Sequence, residues 1–171
     1  YLAQAKGVPA DVVAALEQDA GFATGQASRV FALMGVGNAM GALTIGRLSD
    51  DGVGLLLTVD CGISAVDEVS DAKARGLEVV VTDHHRPGES LPDCPIVATR
   101  PSSYPFPELC GTAVVYKLGE ALLGPGHASL RKHLDLVALA TIADVVPLVD
   151  ENRALASAGL KALACTRRPG L

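Results

Sequence analysis

The sequence predicts an α/β fold, a parallel-sheet β-α-β core followed by a mostly helical C-terminal half, and three observations carry that expectation. First, residues 54–60 (Gly-Leu-Leu-Leu-Thr-Val-Asp) and 77–83 (Leu-Glu-Val-Val-Val-Thr-Asp) are apolar runs with one grammar, each ending in Thr-x-Asp or Thr-Asp. Continuous apolar runs of this length suit strands buried on both faces, as in a parallel sheet covered by helices. Second, residues 64–75 between them carry Val66, Val69, Ala72 and Ala74 among Asp67, Glu68, Asp71 and Lys73. That pattern suits a surface helix capped by Ser64 and closed by Gly76. Third, from Thr112 onward the apolar residues take helical spacing.

The other elements can be placed around this core. Near the start, Val12, Val13 and Leu16 have helical spacing, with Asp11 after Pro9 as the N-terminal cap. Between Gly21 and Gly41 glycines are dense and no apolar period is sustained. Residues 42–48 read as a helix stopped near Asp51-Gly52. Residues 87–107 hold most of the prolines, so they should be irregular apart from a short strand at 96–98. Val114, Val115, Leu118, Leu122 and Leu123 then make one helical face, and Leu130, Leu134, Val137, Ala138 and Thr141 make another. Pro147 ends that section, and residues 152–164 form a last helix with Leu155, Leu160 and Leu163 inward.

With 171 residues, 49% of them hydrophobic, the chain can bury one such core and not two. Its longest apolar stretches, such as 53–59 and 137–143, fall far short of the roughly 20 residues of a bilayer-spanning helix, so no membrane span is expected. Tyr1-Leu2-Ala3-Gln4-Ala5-Lys6 is neither the charged start nor the apolar centre of a secretion signal, and no initiator Met is present; the chain is expected to be excised from a longer one. Cys61, Cys94, Cys110 and Cys165 are widely spaced without a Cys-x-x-Cys pair, which suits buried, reduced thiols in a cytoplasmic protein better than disulfides. A net charge of −5 argues against binding nucleic acid across a broad basic face. It leaves room for a local site at which metal ions supply the positive charge.

A crossover between parallel strands places both carboxyl ends at one edge of the sheet, and ligands of open α/β sheets bind at that edge. Asp60 and Asp83 end the two strands, and His84 and His85 follow at once. Carboxylate oxygens and imidazole nitrogens without thiolate are the ligand set of Mn²⁺ or Mg²⁺, in preference to iron or zinc. Asp60 taken alone reads more simply as a cap for the next helix. Asp83-His84-His85 together point to a site, since adjacent imidazoles have no plainer use there.

Four blocks of the chain, in matching order, resemble the RecJ exonucleases of the DHH phosphoesterase superfamily. They are Leu57-Thr58-Val59-Asp60-Cys61-Gly62-Ile63-Ser64; Val80-Val81-Thr82-Asp83-His84-His85 with Pro87-Gly88-Glu89; Cys110-Gly111-Thr112-Ala113-Val114-Val115-Tyr116-Lys117-Leu118; and Ala138-Leu139-Ala140-Thr141-Ile142-Ala143-Asp144-Val145-Val146-Pro147-Leu148 with Glu151-Asn152-Arg153-Ala154-Leu155. The resemblance runs from about Gly35 to the end, leaving residues 1–34 as a poorly matched, helical N-terminal segment ahead of a partial DHH core at 35–171. It implies that Asp60 is a carboxylate bridging two divalent ions, Mn²⁺ or Mg²⁺, that His84 is a ligand of one of them, and that Asp144 completes the same ion's coordination. It further implies catalytic positions for Asp83, which supports the histidines, and for His85, which faces the scissile phosphate. An Asp just before Val-Val-Pro is, on the residues alone, equally a plain polar exit from a helix. The implied reaction is metal-dependent hydrolysis of single-stranded DNA from its 5′ end in repair and recombination, alongside a helicase and a single-strand-binding protein.

The family's earlier block, a strand ending in Asp-x-Asp-Ala-Asp-Gly, has no counterpart in the sequence: Asp11 and Asp19 are isolated, and Asp50-Asp51 follows a helix. Gly35-Val36-Gly37 matches the family's Gly-Tyr-Gly turn, and the family's later glycine-rich, His-containing loop is missing. The chain by itself is therefore expected to be weakly active or inactive. Two rival readings remain open, a non-catalytic DHH-fold scaffold for replication or repair partners and a phosphodiesterase of small nucleotides. A metal-free α/β domain with incidental acids is the blandest.

Overall fold

The computed structural model describes residues 29–34 and 53–171. The expected helices around Val12 and over 42–48, the caps and acids placed there, and the Gly35-Val36-Gly37 turn lie outside the described residues. A four-stranded sheet runs in the order β1-β2-β3-β4, formed by Arg29–Met34, Val53–Val59, Glu78–Asp83 and Ile96–Ala98. Each neighbouring pair is parallel. Leu55 pairs with Glu78 and Val59 with Thr82, so β2 and β3 end level with one another. On the outer sides, Met34 pairs with Val59 and Asp83 with Ala98.

Both faces of this sheet are covered, which is why β2 and β3 read as unbroken apolar runs. On one face Leu55, Val80 and Val97 join Leu109, Cys110, Ala113, Val114 and Leu118 in a core cluster. On the other, Val79 and Val81 pack with Val69, Ala72 and Leu77 around helix α1, Val66–Ala74. This is the expected β-α-β unit. Gly76 closes its helix: at φ 85 it donates to Lys73 O, while Leu77 N reaches back to Ala72 O at 3.1 Å, the paired closure of a Schellman end. The expected cap does not form. Ala65 occupies the N-cap with no side-chain bond, because Ala65 N already donates to Gly62 O at 3.0 Å and the turn delays the helix past Ser64.

The second half is helical: α2 is Gly111–Leu123, α3 Ala128–Arg131, α4 Leu134–Ala143 and α5 Asp150–Leu163. Leu130 falls on α3 and Leu134, Val137, Ala138 and Thr141 on α4, so the second apolar face is shared by two helices. Leu160 is not inward but 47% exposed. Asn152, Ala156 and Gly159 take the buried stripe of α5 instead, since a Cβ at Gly159 would run into the Leu134 carbonyl and Ala138. Close approach of α4 and α5 therefore selects small residues over large ones.

Residues 29–34, placed by the sequence in a helical segment, form a strand. Their run Arg-Val-Phe-Ala-Leu-Met is too short to show a period, and pairing with β2 decides its conformation. Among the described residues no helix is long and apolar enough to cross a membrane. No disulfide links the four cysteines; Cys110 is buried, Cys61 and Cys94 are partly buried, and Cys165 is exposed.

Candidate metal centre

The ladder between β2 and β3 continues one residue past β2, where Asp60 N donates to Thr82 O at 3.0 Å. Thr82 Oγ1 donates to Thr58 O at 2.6 Å, and Thr58 Oγ1 to Cys61 O at 2.7 Å. Two threonine hydroxyls thus fasten the chain on either side of Asp60, whose backbone adopts φ 63. Gly62 must follow, because it sits at φ 108 and a Cβ there would lie 2.9 Å from Thr58 Oγ1.

Asp83 is 1% exposed. Its Oδ2 accepts from Ile63 N at 2.9 Å, and its Oδ1 accepts from His84 N at 2.7 Å and His85 N at 3.1 Å while facing His85 Nδ1 at 2.7 Å. One carboxylate therefore holds together the loops after both strands. Burial pushes its pKa up, but the donors, Ile63 N and His85 N first, outweigh burial and hold the carboxyl below its usual range. His85 is shifted the other way. Its bond to Asp83 raises its pKa against the effect of burial, with further help from the charges of Asp83, Asp60 and Asp144.

His84 is mostly buried and lies between two acids. Its Nε2 is 3.1 Å from Asp60 Oδ1 and 3.6 Å from Asp144 Oδ2. Asp144 is the C-cap of α4, brought to the sheet edge by the packing of α4 against α2. That end of a helix carries partial negative charge, so two carboxylates and a helix C-terminus converge on one imidazole, an arrangement that favours a cation. Donor atoms of Asp60, His84 and His85 also lie within 4.8 Å of one another.

These spacings suit a hard divalent ion. Ligands at about 2.1 Å from an octahedral centre stand roughly 3.0 Å apart when adjacent and about 4.2 Å when opposite. The distances from His84 Nε2 fall in that interval, and the donor set contains oxygen and nitrogen without sulfur.

All five residues singled out from the sequence, Asp60, Asp83, His84, His85 and Asp144, meet at this one edge. Gly111 was missed. It opens α2 directly behind Asp60, and a Cβ on it would come within 2.6 Å of Asp60 Cγ. Its only signal was a glycine in the first turn of a helix at the level of the strand ends. Beside it opens a cleft of about 270 Å³ lined by Asp60, Cys110, Gly111, Thr112, Ala140, Ala143 and Asp144.

The family model described as the DHH family, N-terminal domain, matches residues 2–141. The chain belongs to the DHH family. As a DHH-family chain it is 49% identical to the single-stranded-DNA-specific exonuclease RecJ of Bacillus subtilis, over 72% of this chain and 16% of that protein. It is 37% identical to the RecJ of Dickeya dadantii, over 90% of this chain and 32% of that protein. Two solved structures share the DHH-family fold. RecJ in complex with Mn²⁺ from Thermus thermophilus superposes with a TM-score of 0.66 at 34% identity, covering 74% of this chain and 19% of the other. An exonuclease RecJ bound to manganese superposes with a TM-score of 0.62 at 36% identity, covering 74% and 32%. The chain thus spans 16% to 32% of the length of these relatives. The family match begins at residue 2, well ahead of Gly35.

Proposed function

We propose that this chain carries the metal-binding core of a nuclease that hydrolyses phosphodiester bonds of single-stranded DNA from the 5′ end. Asp60, His84 and Asp144 hold a divalent ion, Mn²⁺ or Mg²⁺. The observation that carries this reading is the position of His84 Nε2, 3.1 Å from one strand-end carboxylate and 3.6 Å from a helix-end one. Similarity to exonucleases named for single-stranded DNA, and to structures that contain manganese, supports the substrate and the metal.

When bound, the metal supplies Lewis-acid stabilisation of phosphoryl oxygens and a water of lowered pKa. The protein's own part is positional. Asp83 fixes the His85 ring through Nδ1, which leaves Nε2 for a substrate oxygen, and His85 is 59% exposed at the mouth of the site. With Nδ1 held by Asp83 and the ring open to solvent, Nε2 is the atom His85 offers to a phosphate oxygen. The cleft between Asp60 and Asp144 admits the phosphate from the solvent side. The acidic chain then needs no broad basic face. The reading includes a cytoplasmic setting in DNA repair and recombination, with a helicase and a single-strand-binding protein as partners.

The test is a competition in one reaction with Mn²⁺, between 5′-labelled single-stranded DNA and a cyclic dinucleotide. Slow release of labelled mononucleotide, lost in His84→Ala, is expected. Preferential cleavage of the dinucleotide would move the assignment to a small-nucleotide phosphodiesterase. A wild-type chain with no specific Mn²⁺ binding would leave the scaffold and the metal-free α/β domain.

A further inference from the structure

Asn152 lies in the first turn of α5, fully buried, and its hydrogen bonds go to none of Asp60, His84 and Asp144. Its Nδ2 donates to two backbone carbonyls, Glu108 O at 2.6 Å and Pro147 O at 3.0 Å. A flipped amide would set Oδ1 against both carbonyls, so the orientation is fixed by electrostatics. The consequence is that Oδ1 is buried with no hydrogen-bond partner. A hydrocarbon side chain of the same shape would avoid that penalty, and the double donation is what the amide provides in its place.

The two carbonyls belong to the two walls of the metal centre. Glu108 stands two residues before Cys110, the N-cap of α2, and Gly111, which follows that cap, backs directly onto Asp60. Pro147 lies three residues past Asp144 in the connection from α4 to α5, which passes through Val145 at φ 57. A β-branched residue is strained in that conformation and keeps it only when its surroundings hold it. The neighbour of Asn152 reinforces the same tie: Glu151 accepts from Tyr104 OH at 2.7 Å and pairs with Lys117 of α2 at 2.9 Å.

We propose that Asn152 is a positioning residue for the candidate metal centre. It clamps the α4–α5 turn that carries Asp144 to the segment entering α2 behind Asp60, and so sets the separation of the two carboxylates. This rests on the metal-centre reading above, and the two can fail separately.

Asn152→Leu keeps the number and branching of the side-chain heavy atoms and removes both donors. The expected result is faster amide exchange confined to residues 108–112 and 144–148, and Mn²⁺ binding weakened by about tenfold, the low end of what outer-shell partners contribute. Ala156→Gly, at a buried position of the same helix, is the control for general loss of stability and should leave Mn²⁺ affinity unchanged. If Asn152→Leu does not fold, Asn152→Ala gives the same readings, and in the wild type the Asn152 side-chain amide protons should exchange slowly. Exchange and Mn²⁺ affinity both equal to wild type, or freely exchanging Asn152 amide protons, would overturn the clamp. A wild type that binds no Mn²⁺, with the localised exchange change still seen in Asn152→Leu, would sink the metal reading and leave the clamp between the two segments standing.

Discussion

Asp83 and Asp144 stand at the same sheet edge and are held in opposite ways. Asp83 is buried, and its carboxylate accepts from three backbone N–H groups and faces an imidazole nitrogen, all supplied by the two loops that leave the strands. The Asp144 side chain is 41% exposed, and its chain direction depends on the turn after α4. The strand wall is thus part of the cooperative fold, whereas the helical wall is a surface feature tethered at a few points. Substitution of Asp83 should register as stability, and substitution of Asp144 as metal affinity.

The largest expected effect tests the first wall. Asp83→Ala orphans Ile63 N and the two histidine N–H groups in a buried setting, which should cost about 3 kcal/mol or more in urea unfolding. A loss below about 1 kcal/mol would mean that the loops hold themselves. Next, Gly111→Ala must push the Asp60 carboxylate away from α2, and Mn²⁺ affinity by calorimetry should fall by about 10- to 100-fold. Asp144→Asn should lower Mn²⁺ affinity about tenfold, near 1.4 kcal/mol, and change stability by less than about 0.5 kcal/mol. If it destabilises as much as Asp83→Ala, the contrast between the walls is wrong.

The smallest effect concerns the base of the helical wall. Asp135 opens α4 and is bound by Thr166 and Arg168, each at 2.9 Å from Oδ2. Burial pushes its carboxyl up, but Thr166, Leu136 N and Arg168 together hold it below the ordinary value. A depressed folded pKa contributes stability above the unfolded value of about 3.9 and loses it as pH falls through the folded one. Asp135→Asn should therefore flatten the acid limb of the stability–pH curve, followed by thermal melts. An unchanged acid limb would show that the Arg168 contact is incidental.

The same two walls differ in how far their sequence foretold them. β2 and β3 declare themselves by apolar runs that end in Asp, and from there a right-handed crossover brings Asp60 and Asp83-His84-His85 together. β1 has as apolar a run, but glycines around it mask a six-residue strand whose conformation depends on its partner. On the helical side, a search for large apolar residues chose Leu160, while the α4–α5 contact is made by Asn152, Ala156 and Gly159. Asn152 enters the sequence reading only as the start of the last helix, and its two carbonyl partners lie 44 and 5 residues away in the chain. Ser64 failed as a cap because a backbone turn from Gly62 came first. Asp144 could be picked out only by its wording with its neighbours, since nothing in a lone acid before Val-Val-Pro distinguishes a ligand from a helix exit.

The most direct test of the account is whether a strand-end and a helix-end carboxylate grip one ion. Mn²⁺ dissociation constants of wild type, Asp60→Asn, Asp144→Asn and the double variant form a thermodynamic cycle. A shared ion predicts that each single change weakens binding and that the double variant is weakened by less than the product of the two. Strictly multiplicative losses, or an Asp144→Asn chain that binds Mn²⁺ as tightly as wild type, would contradict it.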